Sequence, residues 1–99
     1  MGLESTKWDV VDYLESDEDI AYFLEAAFDD GDPAVITAAL GAVARAKGMT
    51  QLAKDTGLAR EALYRSLSAE GKPEFTTVLK VMKAFGLRLA AVPLDDKAA

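Results

Sequence analysis

The sequence predicts an all-α protein, one bundle of about five helices, and three observations lead there. Apolar residues recur at helical spacing in one segment after another. Most of these segments open on a capping residue or a proline and close on a glycine. The chain has 99 residues, 51% of them apolar, which is room for one domain with one modest core.

Taken in order, Asp9 is placed to cap a short helical turn with Val10, Tyr13 and Leu14 on one side. Ser16-Asp17-Glu18-Asp19 is a stronger start. It offers an N-cap hydroxyl, an acid at N3, and carboxylates facing the positive helix end. Ile20, Phe23, Leu24, Ala27 and Phe28 follow at i, i+3, i+4, i+7 and i+8, one buried stripe that Gly31 closes. Asp32-Pro33 begins the next helix with an N-cap and a proline at N1. Its stripe is Ile36, Ala39, Leu40 and Val43, and Gly48 ends it. Thr50 is the expected cap of a short helix that Gly57 stops, and a second short helix is expected from about Arg60 to Leu67. Ser68 to Lys72 reads as a loop. Pro73 then opens a helix with the stripe Phe75, Val78, Leu79, Met82 and Phe85, stopped by Gly86. Leu87 to Val92 is too short for a helix before Pro93 and is a candidate β-strand, although its alternation is imperfect and alanine is a poor strand former. One strand forms no sheet alone, so its partner would be its copy in a second subunit. The tail Asp95 to Ala99 is expected to be disordered. The chain divides into an acidic segment with the first core helix (1–32), a helical core (33–86) and a strand-and-tail segment (87–99), all within a single domain.

Composition narrows the chemistry. With no cysteine and no histidine, thiolate chemistry, the commonest metal ligand and the commonest general base are all missing. The remaining acids fall on solvated helix faces, so neither an enzyme, a metal site nor a cofactor is expected. Glu4, Lys7, Asp9 and Asp12 break any apolar signal-peptide region, and no run of roughly 18 apolar residues suits a bilayer. A soluble cytoplasmic protein without a membrane partner is the expectation. The net charge is −6, but it is unevenly spread. Residues 1–32 hold eleven acids against one base, Lys7, a net of −10; residues 33–99 hold ten bases against six acids, a net of +4. Such a split suggests two surfaces with different partners, while a charge run taken alone reads first as a solubilising face.

The informative segment runs from Thr50 to Ser68. Two short helices crossing steeply come very close near their turn, which requires a small residue on the inner face of the first, and Ala53 supplies it. Four residues later the chain turns sharply, and Gly57 suits a positive φ there. Leu52, Leu58 and Leu63 then point inward. This Ala-x3-Gly-x5-Leu spacing resembles the helix-turn-helix of the Xre-type, lambda-repressor-like family, over roughly Ile36 to Phe85. Two departures stand out. Serine at 66 falls where the family has an inward apolar residue, which shifts that role to Leu67. Alanine at 59 falls where a capping serine is common, which leaves the second helix without a side-chain cap.

The resemblance implies a second helix that enters the major groove of double-stranded operator DNA with its first residues at the base edges. Arg60 or Arg65 would pair with guanine and Glu61 would accept from cytosine. Glu61 also suits an i, i+4 salt bridge to Arg65, and Tyr64 suits packing as well as DNA contact. Gln51, Lys54, Lys72, Thr76 and Thr77 suit phosphate oxygens.

A narrower resemblance rests on Trp8-Asp9-Val10-Val11-Asp12-Tyr13-Leu14, the capped helix at Ser16, Ala44-Arg45-Ala46-Lys47-Gly48-Met49-Thr50, Gly57 to Tyr64 and Pro73 to Val81. Over about Trp8 to Leu89 the chain is similar to addiction-module antidote proteins, the antitoxins of type II toxin–antitoxin pairs. That likeness implies a basic, ribonuclease-like RelE/ParE-type toxin as partner and repression of a two-gene operon. Trp8, Asp9, Asp12, Tyr13 and Glu15 are the candidate toxin contacts, with rings as anchors and carboxylates steering encounter. A homodimer is expected, because one helix pair buries too little surface for tight specific binding. The dimer would form through Leu87 to Val92 or through helices. Three other readings compete for the same residues: a regulator without a toxin, a protein-interaction module that has lost DNA binding and, most remotely, a carboxylate-based enzyme.

Overall fold

The computed structural model describes residues 16–94. The helical turn expected after Asp9, the candidate toxin contacts Trp8, Asp9, Asp12, Tyr13 and Glu15, and the tail Asp95 to Ala99 lie outside them. Among the described residues there are five helices: α1 (Asp17–Asp30), α2 (Pro33–Lys47), α3 (Met49–Thr56), α4 (Arg60–Ser66) and α5 (Phe75–Ala84). α1 packs on α2, α2 on α3, and α3 on both α4 and α5.

Local chemistry sets the ends of the first two helices. The Ser16 hydroxyl accepts from the Asp19 N–H at 3.0 Å, and the Asp32 carboxylate accepts from the Ala34 N–H at 2.9 Å with Pro33 behind it. Each cap satisfies a backbone donor that the helix leaves unpaired, worth about 1 kcal/mol. From α1, Ile20, Leu24 and Ala27 enter the core and Phe23 packs against it. Phe28 does not follow them, being 37% exposed. It lies about 80° around the helix from Ile20, at the edge of the stripe. α2 is buried more widely than its predicted stripe, because Thr37, Gly41 and Ala44 join Ala39, Leu40 and Val43 inside. A β-carbon at Gly41 would overlap the Leu67 carbonyl oxygen. The small residue thus lets the end of α4 lie directly on α2.

α3 begins one residue earlier than its expected cap. Met49 is buried and belongs to the helix, and Gly48 occupies the N-cap with no side-chain bond. Thr50 therefore sits inside the first turn rather than capping it. Gly57 ends α3 at φ +77°, its N–H donating to the Ala53 carbonyl at 2.9 Å. Nothing lies within 4 Å of where its β-carbon would be, so the left-handed backbone and not crowding selects glycine there. Thr56 fastens the same turn: its hydroxyl donates to the Leu52 carbonyl at 2.8 Å and accepts from the Leu58 N–H at 3.2 Å.

α4 starts at Ala59 with no side-chain cap, as its sequence predicts. Leu63 and Leu67 are buried, while Ser66 is half-buried with its hydroxyl turned back to the Leu63 carbonyl. The inward role has passed to Leu67. In α5 the buried row is Val81, Met82 and Phe85, with Val78 packed against the core. Phe75 is 67% and Leu79 41% exposed, contrary to the predicted stripe. Val78, Val81, Met82 and Phe85 keep the same i, i+3, i+4, i+7 spacing on a neighbouring row, and packing on α3 selects that row. Beyond Gly86, Leu87 and Leu89 pack on the core while Arg88 and Ala90 face out. No strand forms between Leu87 and Val92, or elsewhere among the described residues. An isolated segment lacks the ladder partner that a strand requires.

Candidate functional site

α3, the turn Gly57-Leu58-Ala59 and α4 place the candidate polar residues on the surface while their apolar faces hold the pair to the core. Leu52 and Leu63 are the buried anchors, with Ala53 and Leu58 packed beside them. On α4, Arg60, Glu61, Tyr64 and Arg65 are all exposed. They fan over about 140° of the helix surface, from Arg60, on the same face as Leu63 and Leu67, to Arg65, opposite them.

Arg60 is the first residue of α4, and its Nη1 donates to Thr50 Oγ1 in the first turn of α3 at 2.9 Å. This bond draws the starts of the two helices together. Gln51, next to Thr50, donates from Nε2 to Asp55 Oδ1 at 2.8 Å. Lys54 is exposed in the last turn of the same helix.

A second grouping lies at the other end of α4. A cleft of about 570 Å³ runs between α4, the loop after it and the start of α5, and Arg65, Lys72 and Thr77 all line it. Ser66 and Ser68 add hydroxyls, and Glu70 and Glu74 add carboxylates. The cleft therefore carries both signs of charge, and any phosphate approaching Lys72 also meets the field of those two acids. Thr76, beside Thr77 in the first turn of α5, is exposed.

Of the nine candidate DNA contacts, Arg65, Lys72 and Thr77 meet at the cleft, whereas Arg60 bonds Thr50 and Gln51 bonds Asp55. Lys54, Glu61, Tyr64 and Thr76 are exposed around them. Sequence reasoning missed Thr50 and Asp55 as hydrogen-bond partners of candidate residues. The i, i+4 spacing of Gln51 and Asp55 was a readable signal. Thr50 and Arg60 were not readable as a pair, because their contact depends on how the two helices cross.

The described acids of the acidic segment lie on its solvent face. Asp17, Glu18, Asp19, Glu25, Asp29, Asp30 and Asp32 are all exposed, and Tyr22 among them is 73% exposed. No helix among the described residues is long and apolar enough to cross a membrane.

Comparison with known proteins bears on most of the chain. A family model described as "Probable addiction module antidote protein" matches residues 4–93. A protein of Haemophilus influenzae (strain ATCC 51907 / DSM 11121 / KW20 / Rd), described as an uncharacterized protein, is 44% identical over 81 residues, which span 82% of this chain and 84% of that one. No solved structure matches. The family match covers both the acidic segment and the helices that carry the candidate site, and on it the chain belongs to the family of probable addiction module antidote proteins.

Proposed function

We propose that this chain is an antitoxin with two faces: it neutralises a basic RelE/ParE-type toxin by direct contact, and it represses its own operon by binding operator DNA. In this reading α3 and α4 form a lambda-repressor-like helix-turn-helix whose second helix enters the major groove. The observation that carries the DNA half is the junction at the helix starts, where exposed Arg60 is held against Thr50. A helix presents its first residues to base edges, and a guanidinium there suits guanine. Lys72, Thr76 and Thr77 then serve the backbone, which supplies affinity and fixes register without reading sequence. Two copies on successive half-sites, about 34 Å apart, supply the surface that a single pair lacks.

The toxin half rests on family membership and on the charge split of −10 against +4. Carboxylates concentrated in one segment of the chain and cations in the other suit a basic protein and DNA respectively.

The test is direct. Full-length protein is titrated with a duplex spanning the region upstream of its gene, at several salt concentrations, and is co-purified with the product of the adjacent reading frame. Specific, salt-dependent binding of the duplex is expected together with a stable complex. A second reading, a protein-interaction module without DNA binding, is favoured by Glu61, Glu70 and Glu74 around α4. It predicts the complex and no specific duplex binding.

A further inference from the structure

We propose that Thr50 is a positioning residue for Arg60, fixing the guanidinium for base readout and thereby setting specificity at the base pair it reads. This rests on the DNA-reading assignment of α4 and extends it to a residue outside that helix. The two side chains are ten positions apart, on either side of the Gly57 turn, and meet at 2.9 Å. Both residues are exposed. A hydrogen bond in water exchanges one solvated state for another, so its net effect on stability is small. Its effect on direction is larger. A free arginine side chain at the surface samples many rotamers, and that freedom is lost when it docks on a base. Thr50 removes part of the freedom before DNA arrives.

The stoichiometry permits this. A guanidinium has five N–H donors, and the bond to Thr50 occupies one. A fork of two donors remains for guanine O6 and N7. The hydroxyl, accepting from Arg60, keeps its own hydrogen and can still donate to a phosphate oxygen. One side chain would then tie the base-reading group to the strand backbone. Threonine also lies in the first turn of α3, where the backbone is anchored by buried Met49 and Leu52. The acceptor is therefore placed by the core rather than by a mobile loop.

The experiment selects duplexes from a randomised library with wild-type protein, Arg60→Ala, Thr50→Val and Thr50→Ser, and compares base preference position by position. Arg60→Ala identifies the base pair that Arg60 reads. Thr50→Val is expected to lower the preference at that same pair by roughly tenfold, the lower half of what one good bidentate contact discriminates. Preferences elsewhere and the thermal midpoint should stay unchanged, and Thr50→Ser should restore the lost preference. Three results overturn the proposal while leaving DNA reading intact: Arg60→Ala changing no position, Thr50→Val keeping full preference, or Thr50→Val weakening all positions evenly with a lower midpoint. Wild-type protein that selects no sequence overturns the DNA reading and this proposal with it.

Discussion

Arg60 and Thr50 are ten residues apart in the chain and 2.9 Å apart in space, the guanidinium donating to the threonine hydroxyl. The bond spans the turn between α3 and α4 and fixes which end of the helix pair carries an oriented cation. Arg65, five residues on, faces the cleft beside Lys72 and Thr77. The two arginines thus sit in different surroundings, about 140° apart around the helix.

From this arrangement we expect Arg60→Ala or Arg65→Ala to weaken operator binding by about 1–3 kcal/mol and relax specificity at one position each. Lys72→Ala should act differently. It should weaken binding on all sequences alike and flatten the slope of log K against log salt by about one unit. Filter binding across a salt series separates the two patterns. Unchanged operator affinity in both arginine variants would remove α4 from the interface.

Two glycines should respond to the same substitution for unrelated reasons. Gly57→Ala meets no atom within 4 Å but must hold φ +77°, a cost of about 1–2 kcal/mol. Asparagine tolerates that region better, so Gly57→Asn should recover part of the loss. Gly41→Ala has no such torsional problem and instead drives a methyl group into the Leu67 carbonyl oxygen. Relief requires moving α4 off α2, which we expect to cost about 1–3 kcal/mol or more. Urea denaturation gives both values. Gly41→Ala should also impair DNA binding beyond its effect on stability, since α4 itself shifts.

What the sequence made legible here was local chemistry. Ser16, Asp32-Pro33 and Gly57 each act through bonds to residues within a few positions, so their roles could be read without the fold. The row of α5 that faces the core could not. Phe75-Val78-Leu79-Met82 and Val78-Val81-Met82-Phe85 have the same period, and only the approach of α3 decides between them. Thr50 failed as a cap for a similar reason: burying Met49 extends α3 by one residue. The Thr50–Arg60 contact is wholly tertiary. The same limit applies to Gly41, whose need for smallness comes from a carbonyl twenty-six residues away.

The pair Ser66 and Leu67 offers a compact check on the packing of α4. Leu67 is 2% exposed, whereas Ser66 is half-buried with a long hydroxyl contact of 3.4 Å to the Leu63 carbonyl. Leu67→Ala should destabilise the fold by about 2–5 kcal/mol through the cavity it leaves. Ser66→Ala should cost under about 1 kcal/mol. Equal losses in a thermal or urea melt would mean that the inward role has not moved to Leu67.

The proposed dimer is best tested without shortening the chain. Truncation after Gly86 removes Leu87 and Leu89, which pack on the core, and would confuse association with folding. Ala90 faces outward. A proline there removes a backbone donor and blocks pairing with a second copy while sparing the core contacts. Sedimentation equilibrium at micromolar concentration should show a dimer for wild-type protein and a monomer for Ala90→Pro. A variant that still dimerises would assign the interface to helices instead.

The acidic segment makes the last prediction, because its described acids are all exposed to solvent. Among the described acids, Asp32 caps α2, Asp30 accepts from the Asp32 N–H at 3.3 Å, and Asp17 lies against Gly86. Eleven acids in 32 residues repel one another, and a strand of phosphates would be repelled by them as well. A basic protein relieves that repulsion on binding, and exposed aromatic rings beside the charge supply contact area. Removing the whole segment is a poor test, since Ile20 and Leu24 belong to the core. Reversing Asp9, Asp12 and Glu15 to lysine leaves those residues in place. Binding to the proposed toxin partner should weaken by about 1 kcal/mol or more, chiefly through slower association, and its salt dependence should flatten. Circular dichroism should show an unchanged helical spectrum and melting midpoint. Toxin affinity and salt slope both equal to wild type would mean that these three carboxylates serve solubility alone, and the toxin surface would have to be sought elsewhere on the chain.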